Sequence, residues 1–340
     1  MSSEQLFYSS ATVALSAYLC CWVYPVIAKR FSLFALVNAR SAHLEPTPTG
    51  AGVVFSFFSL VFIYLCFIFG SDDLSLVIAL LASITVGLIG FTDDIFDLSV
   101  KVRLPLYMLA AIWCVFWVGV PDIALLGWTI NSSVIGSIFG VLFLLWVQNL
   151  FNFMDGIDGI VASEVIFVCF SAWFFIETNT SYEALICLLV GSLAVGFLFR
   201  NWPSAKLFMG DAGANFLGLT IGLLALNSQE LSFWVWLVLM SQFLVDGTLT
   251  LIVRFYSGDD VSQAHSKHAY QNRNRRFGTS KALVYSILVN VLWVLPMAVL
   301  AERLPEYGLV LLISAAIPIA LADFLSGSGN DTARIKWLKA

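Results

Sequence analysis

Charge is what this 340-residue sequence has least of: Asp, Glu, Lys and Arg together make up 11% of it. A soluble domain carries about a quarter charged residues, so a water-facing globule is excluded. Histidine is scarcer still, with three residues, and the net charge of −5 leaves no basic surplus for general nucleic-acid binding. The six cysteines (Cys20, Cys21, Cys66, Cys114, Cys169, Cys187) all lie in apolar runs, and no CxxC or CxxH pattern occurs. They read as buried free thiols. A basic stretch ahead of the first apolar run is also missing, so residues 6–28 read as a spanning helix and not as a cleavable signal. Internal repeats, low-complexity segments and soluble domains are absent.

What fills the chain instead is apolar: 60% of residues are hydrophobic, with a mean hydropathy of +0.90. A crossing helix needs about 20 mostly apolar residues. Eleven windows qualify: 6–28, 51–69, 76–92, 104–120, 133–150, 160–176, 183–199, 212–227, 232–256, 282–301 and 307–324. The expected fold is therefore all-α, a polytopic membrane protein of about eleven transmembrane helices, or ten if a short window drops out. The whole of 1–340 forms one membrane domain. Connections are short except around 29–50 and 257–281.

The basic residues fix an orientation. With eleven crossings, one side receives Lys29, Arg30, Arg40, Lys101, Arg103, Arg200, Lys206, Arg254, Lys267, Arg273, Arg275, Arg276, Lys281, Arg334, Lys336 and Lys339, and the other receives Arg303 alone. By the positive-inside rule the N-terminus lies outside and the C-terminus in the cytoplasm. A miscounted span would scramble that division.

The unusual polar residues fall at the same ends of the helices, in loops near 29–50, 93–103, 151–159, 200–211 and 257–281. Pro46 to Gly52 enters the second span. Asp93 and Asp94 close the third, with Asp97 one helical turn beyond Asp93. Neighbouring carboxylates repel one another unless a cation offsets them; a solvated helix end is the plainer reading of an Asp pair. Asn149, Asn152 and Asp155 follow at steps of three, so a helix presents them as one stripe, with Asp158 just beyond. Their oxygens are hard ligands suited to Mg²⁺, which takes few protein ligands and leaves sites for phosphate; helix capping is the alternative. Asp211, between Gly210 and Gly213, suits an N-cap and a metal ligand alike, where a helix N-terminus also favours anions. Asp246 lies inside an apolar span and needs a partner that the sequence does not reveal. His265, Lys267 and His268 form the last group. Zinc is conceivable from the histidine spacing but no thiol stands near, and the basic surroundings suit a polyanion better. Arg273, Arg275 and Arg276 serve topology or anionic lipid. Carboxylates and amides for one Mg²⁺ facing cations for phosphate, at a membrane surface, are the parts of phosphoryl transfer.

The ordered set TPTGAG, GFTDDIFDL with a following Arg, NLFNFMDGIDG, FMGDAGANFLG and HSKHAYQ resembles the polyprenyl-phosphate N-acetylhexosamine-1-phosphate transferase family, over about residues 40–275. The resemblance implies transfer of a sugar 1-phosphate from a UDP-N-acetylhexosamine to undecaprenyl phosphate in the bacterial inner membrane, releasing UMP, with Mg²⁺ (or Mn²⁺) as cofactor. It implies Asp211 as principal metal ligand and Asn152 as an amide near metal and diphosphate. Asp93 and Asp94 match the paired aspartates that place or activate the lipid phosphate, and Asp155 and Asp158 join them as candidate catalytic carboxylates. Arg103 matches a basic residue near the carrier phosphate; Asn149, His265, Lys267 and His268 fall to substrate binding. Family members include homodimers. The HHHFE-like form and the Asn-Lys-Gly of the muramoyl-pentapeptide translocases are missing, and HxxHAYQ is similar to the O-antigen-initiating branch. In-line attack by the carrier phosphate on the β-phosphorus is the expected step, with Asp93 as base or as nucleophile of a two-step route left open. A membrane transporter and a lipid-binding scaffold are the competing classes.

Overall fold

The computed structural model describes residues 3–35, 46–70, 73–125, 128–130, 133–260, 263 and 265–330. Arg40, Arg334, Lys336 and Lys339 of the charge tally lie outside them. Helix α1 (Ser3–Arg30) is followed by a two-stranded antiparallel ribbon of β1 (Phe34–Ala35) and β2 (Thr47–Pro48). Then come α2 (Val53–Phe69), α3 (Ser75–Phe96), α4 (Val100–Val118) and a second ribbon, β3 (Ile123–Leu125) with β4 (Trp128–Ile130). Helices α5 (Val134–Met154), α6 (Ile160–Phe175), α7 (Tyr182–Asn201) and α8 (Gly210–Asn227) complete the first part. The second part holds α9 (Phe233–Leu239), α10 (Ser241–Tyr256), α11 (Ala269–Phe277), α12 (Thr279–Val289), α13 (Leu295–Arg303) and α14 (Gly308–Leu325).

Each of the eleven apolar windows is helical. Seven helices among the described residues are long and apolar enough to cross a membrane, and the bent α9–α10 pair makes an eighth if it counts as one span. Helices α2 and α6 are shorter apolar helices. The chain is thus an all-α, multi-pass membrane protein. Its flanks carry bare apolar side chains such as Phe69, Phe116 and Phe174; in lipid no water is present to penalise them.

Helix α8 is the centre. Every residue from Ala212 to Asn227 is buried, as expected of a helix that is apolar all round. It packs chiefly on α3 and α5. At its start it nearly touches α2: a Cβ on Gly52 would collide with the Gly213 backbone, so both motif glycines serve a close crossing. Phe55 of α2 stacks on Phe216 one turn later, with ring centroids 6.2 Å apart.

One expected element differs. The window 232–256 reads as a single span, but the chain bends by 71° between α9 and α10, at Met240. Beside the bend, the helix from α12 to α13 widens into a π turn at Asn290–Val294. The two irregularities face each other. Gln242 Nε2 donates to the Ser286 carbonyl (3.0 Å) and to Asn290 Oδ1 (2.9 Å), and Asn290 Nδ2 donates to Glu164 Oε2 of α6 (2.6 Å). Buried polar side chains find partners by distorting both helices, a long-range arrangement that hydropathy does not carry.

Candidate active site

At one end of the bundle, the stretches bearing four of the sequence motifs close on one another. The chain after Pro203 runs past β2: Phe208 N donates to Pro48 O (2.8 Å), Ala51 N to Phe208 O (3.2 Å) and Gly52 N to Met209 O (2.9 Å). Asn201 ties the turn after α5 to the same stretch, accepting from Gly159 N (2.9 Å) and donating to Leu207 O (2.8 Å). Asp158 accepts from Ala205 N at 2.9 Å. Residues 46–52, 156–159 and 201–213 are thereby one hydrogen-bonded platform.

The aspartate pair of α3 docks on this platform. Asp94 accepts from Asp211 N (3.0 Å) and Ala212 N (3.3 Å), capping α8 from a different helix. Gly210 has φ +68, and a Cβ there would strike the Asp94 carboxylate, so glycine is required on both counts. Asp93 accepts from Leu98 N (2.6 Å) as the chain turns out of α3 through Asp97, which sits in the left-handed region. Its other oxygen meets Arg103, at the first turn of α4. The same guanidinium nitrogen reaches Asp211 Oδ2 at 3.1 Å. The Asn152 side chain lies beside Asp211 and favours its ionised form, which brings together the residue pair expected to share a metal.

Asp93 and Asp211 share Arg103, and Asp155 feels the charges of Asp211, Asp94 and Asp158. Asp155 registers the imbalance: burial, then the negative charge of Asp211, Asp94 and Asp158, pushes its carboxyl up to about 8. Such a surplus of hard, negatively charged oxygen fits a divalent cation. Among the described residues no three His, Cys, Asp or Glu side chains form a cage by themselves.

The expected stripe of Asn149, Asn152 and Asp155 divides. Helix α5 ends at Met154, so Asp155 is its C-cap, outside the helical register. Asn149 bonds back to Leu145 O (2.7 Å) and lines an apolar groove of about 640 Å³ between α5 and α10, with Trp146, Phe153, Leu251 and Phe255.

The fifth motif adjoins the third. Tyr270 Oη donates to Phe153 O (2.9 Å), seating the start of α11 on the last turn of α5. Asp246, whose partner the sequence hides, accepts from Ala269 N and Tyr270 N (3.0 Å each) and faces His268 Nδ1 at 3.2 Å. Arg273 approaches Asp246 and pairs with Asp323 at 2.6 Å. His268 is buried against Asp246 and holds this loop. His265 stacks on His268 with ring centroids 4.9 Å apart. Burial, then the neighbouring His268, Arg254 and Lys267 side chains, pushes His265 down to about 4, so it is neutral at pH 7 rather than an imidazolium. Lys267 meets Asp259 at 2.8 Å.

Tyr107 belongs to the site although no sequence motif contains it. Its hydroxyl is buried without a hydrogen-bond partner, and it senses Asp211, Asp93 and Arg103. The available signal was its position four residues after Arg103, on the same face of α4.

The model of "Glycosyl transferase family 4" matches residues 76–229, from α3 to the end of α8. An undecaprenyl-phosphate alpha-N-acetylglucosaminyl 1-phosphate transferase of Thermotoga maritima is 26% identical over 79% of this chain and 84% of its own length. A phospho-N-acetylmuramoyl-pentapeptide-transferase of Lactococcus lactis subsp. cremoris is 30% identical over 61% of this chain and 67% of its own. The Escherichia coli enzyme with the same name as the Thermotoga one is 31% identical over 60% of this chain and 57% of its own. With the matched segment carrying Asp93, Asp94, Arg103, Asn152 and Asp211, the chain belongs to glycosyl transferase family 4.

Proposed function

We propose that this protein transfers an N-acetylhexosamine 1-phosphate from a UDP-sugar to undecaprenyl phosphate, releasing UMP. The observation that carries the reading is the convergence of Asp93, Asp94, Asn152, Asp155 and Asp211, with Arg103 shared by Asp93 and Asp211, beside an apolar groove fit for an isoprenoid chain. The names of the relatives agree with it. Asp211 and Asn152 hold Mg²⁺, which supplies charge neutralisation at the diphosphate when bound. Arg103 orients the carrier phosphate, and the isoprenoid runs along α5 and α10 past Asn149. Lys267 and a neutral His265 donate hydrogen bonds to the nucleotide diphosphate, with His268 and Asp246 fixing the loop. The carrier phosphate is already ionised at neutral pH, so the carboxylates' main work is to position it and the metal.

The chain is inserted with the N-terminus outside and the site on the cytoplasmic face of the bacterial inner membrane, as the distribution of Lys and Arg favours. The HxxHAYQ motif favours an O-antigen or related envelope polysaccharide as the destination. The Lactococcus relative favours a second reading, a muramoyl-pentapeptide donor. Purified protein supplied with undecaprenyl phosphate, Mg²⁺ and a panel of UDP-sugars that includes UDP-N-acetylmuramoyl-pentapeptide decides the donor by UMP release. Asp211→Asn abolishes release at unchanged expression. Turnover near the wild-type level in that variant, or UMP release without the polyprenyl phosphate, defeats the assignment.

A further inference from the structure

The segment from His265 to Arg273 is gripped from two directions. Asp246 of α10 holds one side, and the chain leaving α14 holds the other. After Leu325 that chain turns tightly over Ser326–Asn330. Gly329 N donates to the Lys267 carbonyl at 2.8 Å, and Asn272 Nδ2 donates to the Gly327 carbonyl at 2.7 Å. Arg273 Nη1 donates to Asp323 Oδ1 at 2.6 Å and reaches Ser326 Oγ at 3.4 Å. The turn thus touches the segment on both sides of His268.

These contacts lie out of water: Asn272, Arg273, Asp323 and Ser328 are all buried. The turn is also lodged against α10, since a Cβ on Gly329 would stand 2.7 Å from the Val253 side chain. Asp323 is its hub. Ser328 folds back on it, with N and Oγ both donating to the Asp323 carbonyl at 3.1 Å, while the carboxylate of the same residue meets Arg273. Arg273 Nη2 stands 3.9 Å from Asp246 Oδ2, which places the guanidinium between two carboxylates, one from α10 and one from α14. Apolar packing often stabilises a buried site as well as an ion pair does, so what such a pair adds is one defined geometry. Asp323 and its turn lie outside the residues 76–229 that the family model matches.

We propose that Asp323 is a positioning residue for the sugar-nucleotide donor: with the turn it organises, it sets where Lys267 and His265 stand against the diphosphate. The inference rests on the function proposed above, which gives those two side chains to the diphosphate. Asp323 acts through Arg273 and through the Gly329 amide, which fixes the Lys267 backbone. The carrier phosphate falls instead to Arg103 on α4, which none of these ties reaches.

The test uses the full chain in detergent with Mg²⁺, measuring UMP release while the UDP-sugar and undecaprenyl phosphate are varied separately. Asp323→Asn keeps the shape and removes the charge. The KM for the UDP-sugar rises about tenfold, as weakening a hydrogen bond between charged groups provides. The KM for undecaprenyl phosphate stays within about twofold. A merely structural role lowers the amount of active protein, so kcat falls with both KM values unchanged; that result overturns the proposal, and so does an equal rise in both. Should Asp323→Asn not fold, Asn272→Ala removes a neutral tie to the same turn and raises the donor KM about fivefold; a wild-type donor KM in that variant overturns the proposal. Hydrogen exchange over residues 265–268, read without substrate, accelerates in either variant, and unchanged exchange also overturns it. If the wild-type protein releases no UMP from any UDP-sugar, the proposed function fails, and the exchange measurement decides by itself whether Asp323 positions the loop.

Discussion

Arg103→Met removes the cation that Asp93 and Asp211 share. Asp93 is 7% exposed at its side chain and Arg103 27%. Removing one partner of a fully buried ion pair costs about 3–5 kcal/mol, because the remaining charge is stranded. The Asp211 arm, with that carboxylate 32% exposed, is screened by solvent and adds little. Allowing for the guanidinium's own exposure, the loss is about 2–3 kcal/mol. Asn at position 93 removes the stranded charge and still accepts from Leu98 N. Asp93→Asn in the Arg103→Met background therefore restores stability, with a coupling energy of about 1–2 kcal/mol. The assay is a double-mutant cycle by denaturant or thermal unfolding in one detergent, with EDTA present. Should Arg103→Met unfold within about 0.5 kcal/mol of wild type, or should the two substitutions simply add, the shared-cation reading is refuted.

Asp155 is protonated in the metal-free fold to about pH 8 but has an ordinary value of 3.8 when unfolded. Between those values the folded state binds the extra proton, so stability falls as pH rises. Melting temperatures from pH 4 to 9 in EDTA decline in wild type and stay flatter in Asp155→Asn; identical slopes exclude the effect. Asp246→Ala strands the first N–H groups of α11, and hydrogen exchange at Ala269 and Tyr270 accelerates by about tenfold or more, the equivalent of one lost hydrogen bond. Unchanged protection there counts against Asp246 as the anchor. Gly52→Ala drives a methyl into the Gly213 backbone and costs about 1–3 kcal/mol by overpacking. Size-exclusion yield of folded protein in detergent measures it, and a wild-type yield and melting point contradict the close crossing.

The sequence makes the helices legible because a crossing element must satisfy its own backbone, which ties hydropathy directly to structure. Each of the eleven windows is helical, and the aspartate pair, Arg103, Asn152 and Asp211 meet as their common side suggested. What the sequence hides is long-range. The cap that Asp94 gives α8 links residues more than a hundred positions apart, and its partners are backbone groups with no sequence identity. Asp246 likewise meets amides. The split of Asn149 from Asp155 turns on where α5 stops, a boundary that spacing alone does not fix. The bend at Met240 and the π turn at Asn290 are joined by hydrogen bonds between segments more than forty residues apart, which hydropathy does not reveal.

The 71° elbow makes α10 a lever. Asp246 sits six residues along it from Met240, about 9 Å at the helical rise per residue. Because Asp246 grips the first amides of α11, whatever swings α10 carries the His265–Lys267 segment along. A swing of about 10° shifts that segment by roughly 1.5 Å, and an error of about 1 Å in a reacting group can cost about a hundredfold in rate. The placement of α10 and that of the loop before α11 are thereby set together, so neither can be repositioned without the other.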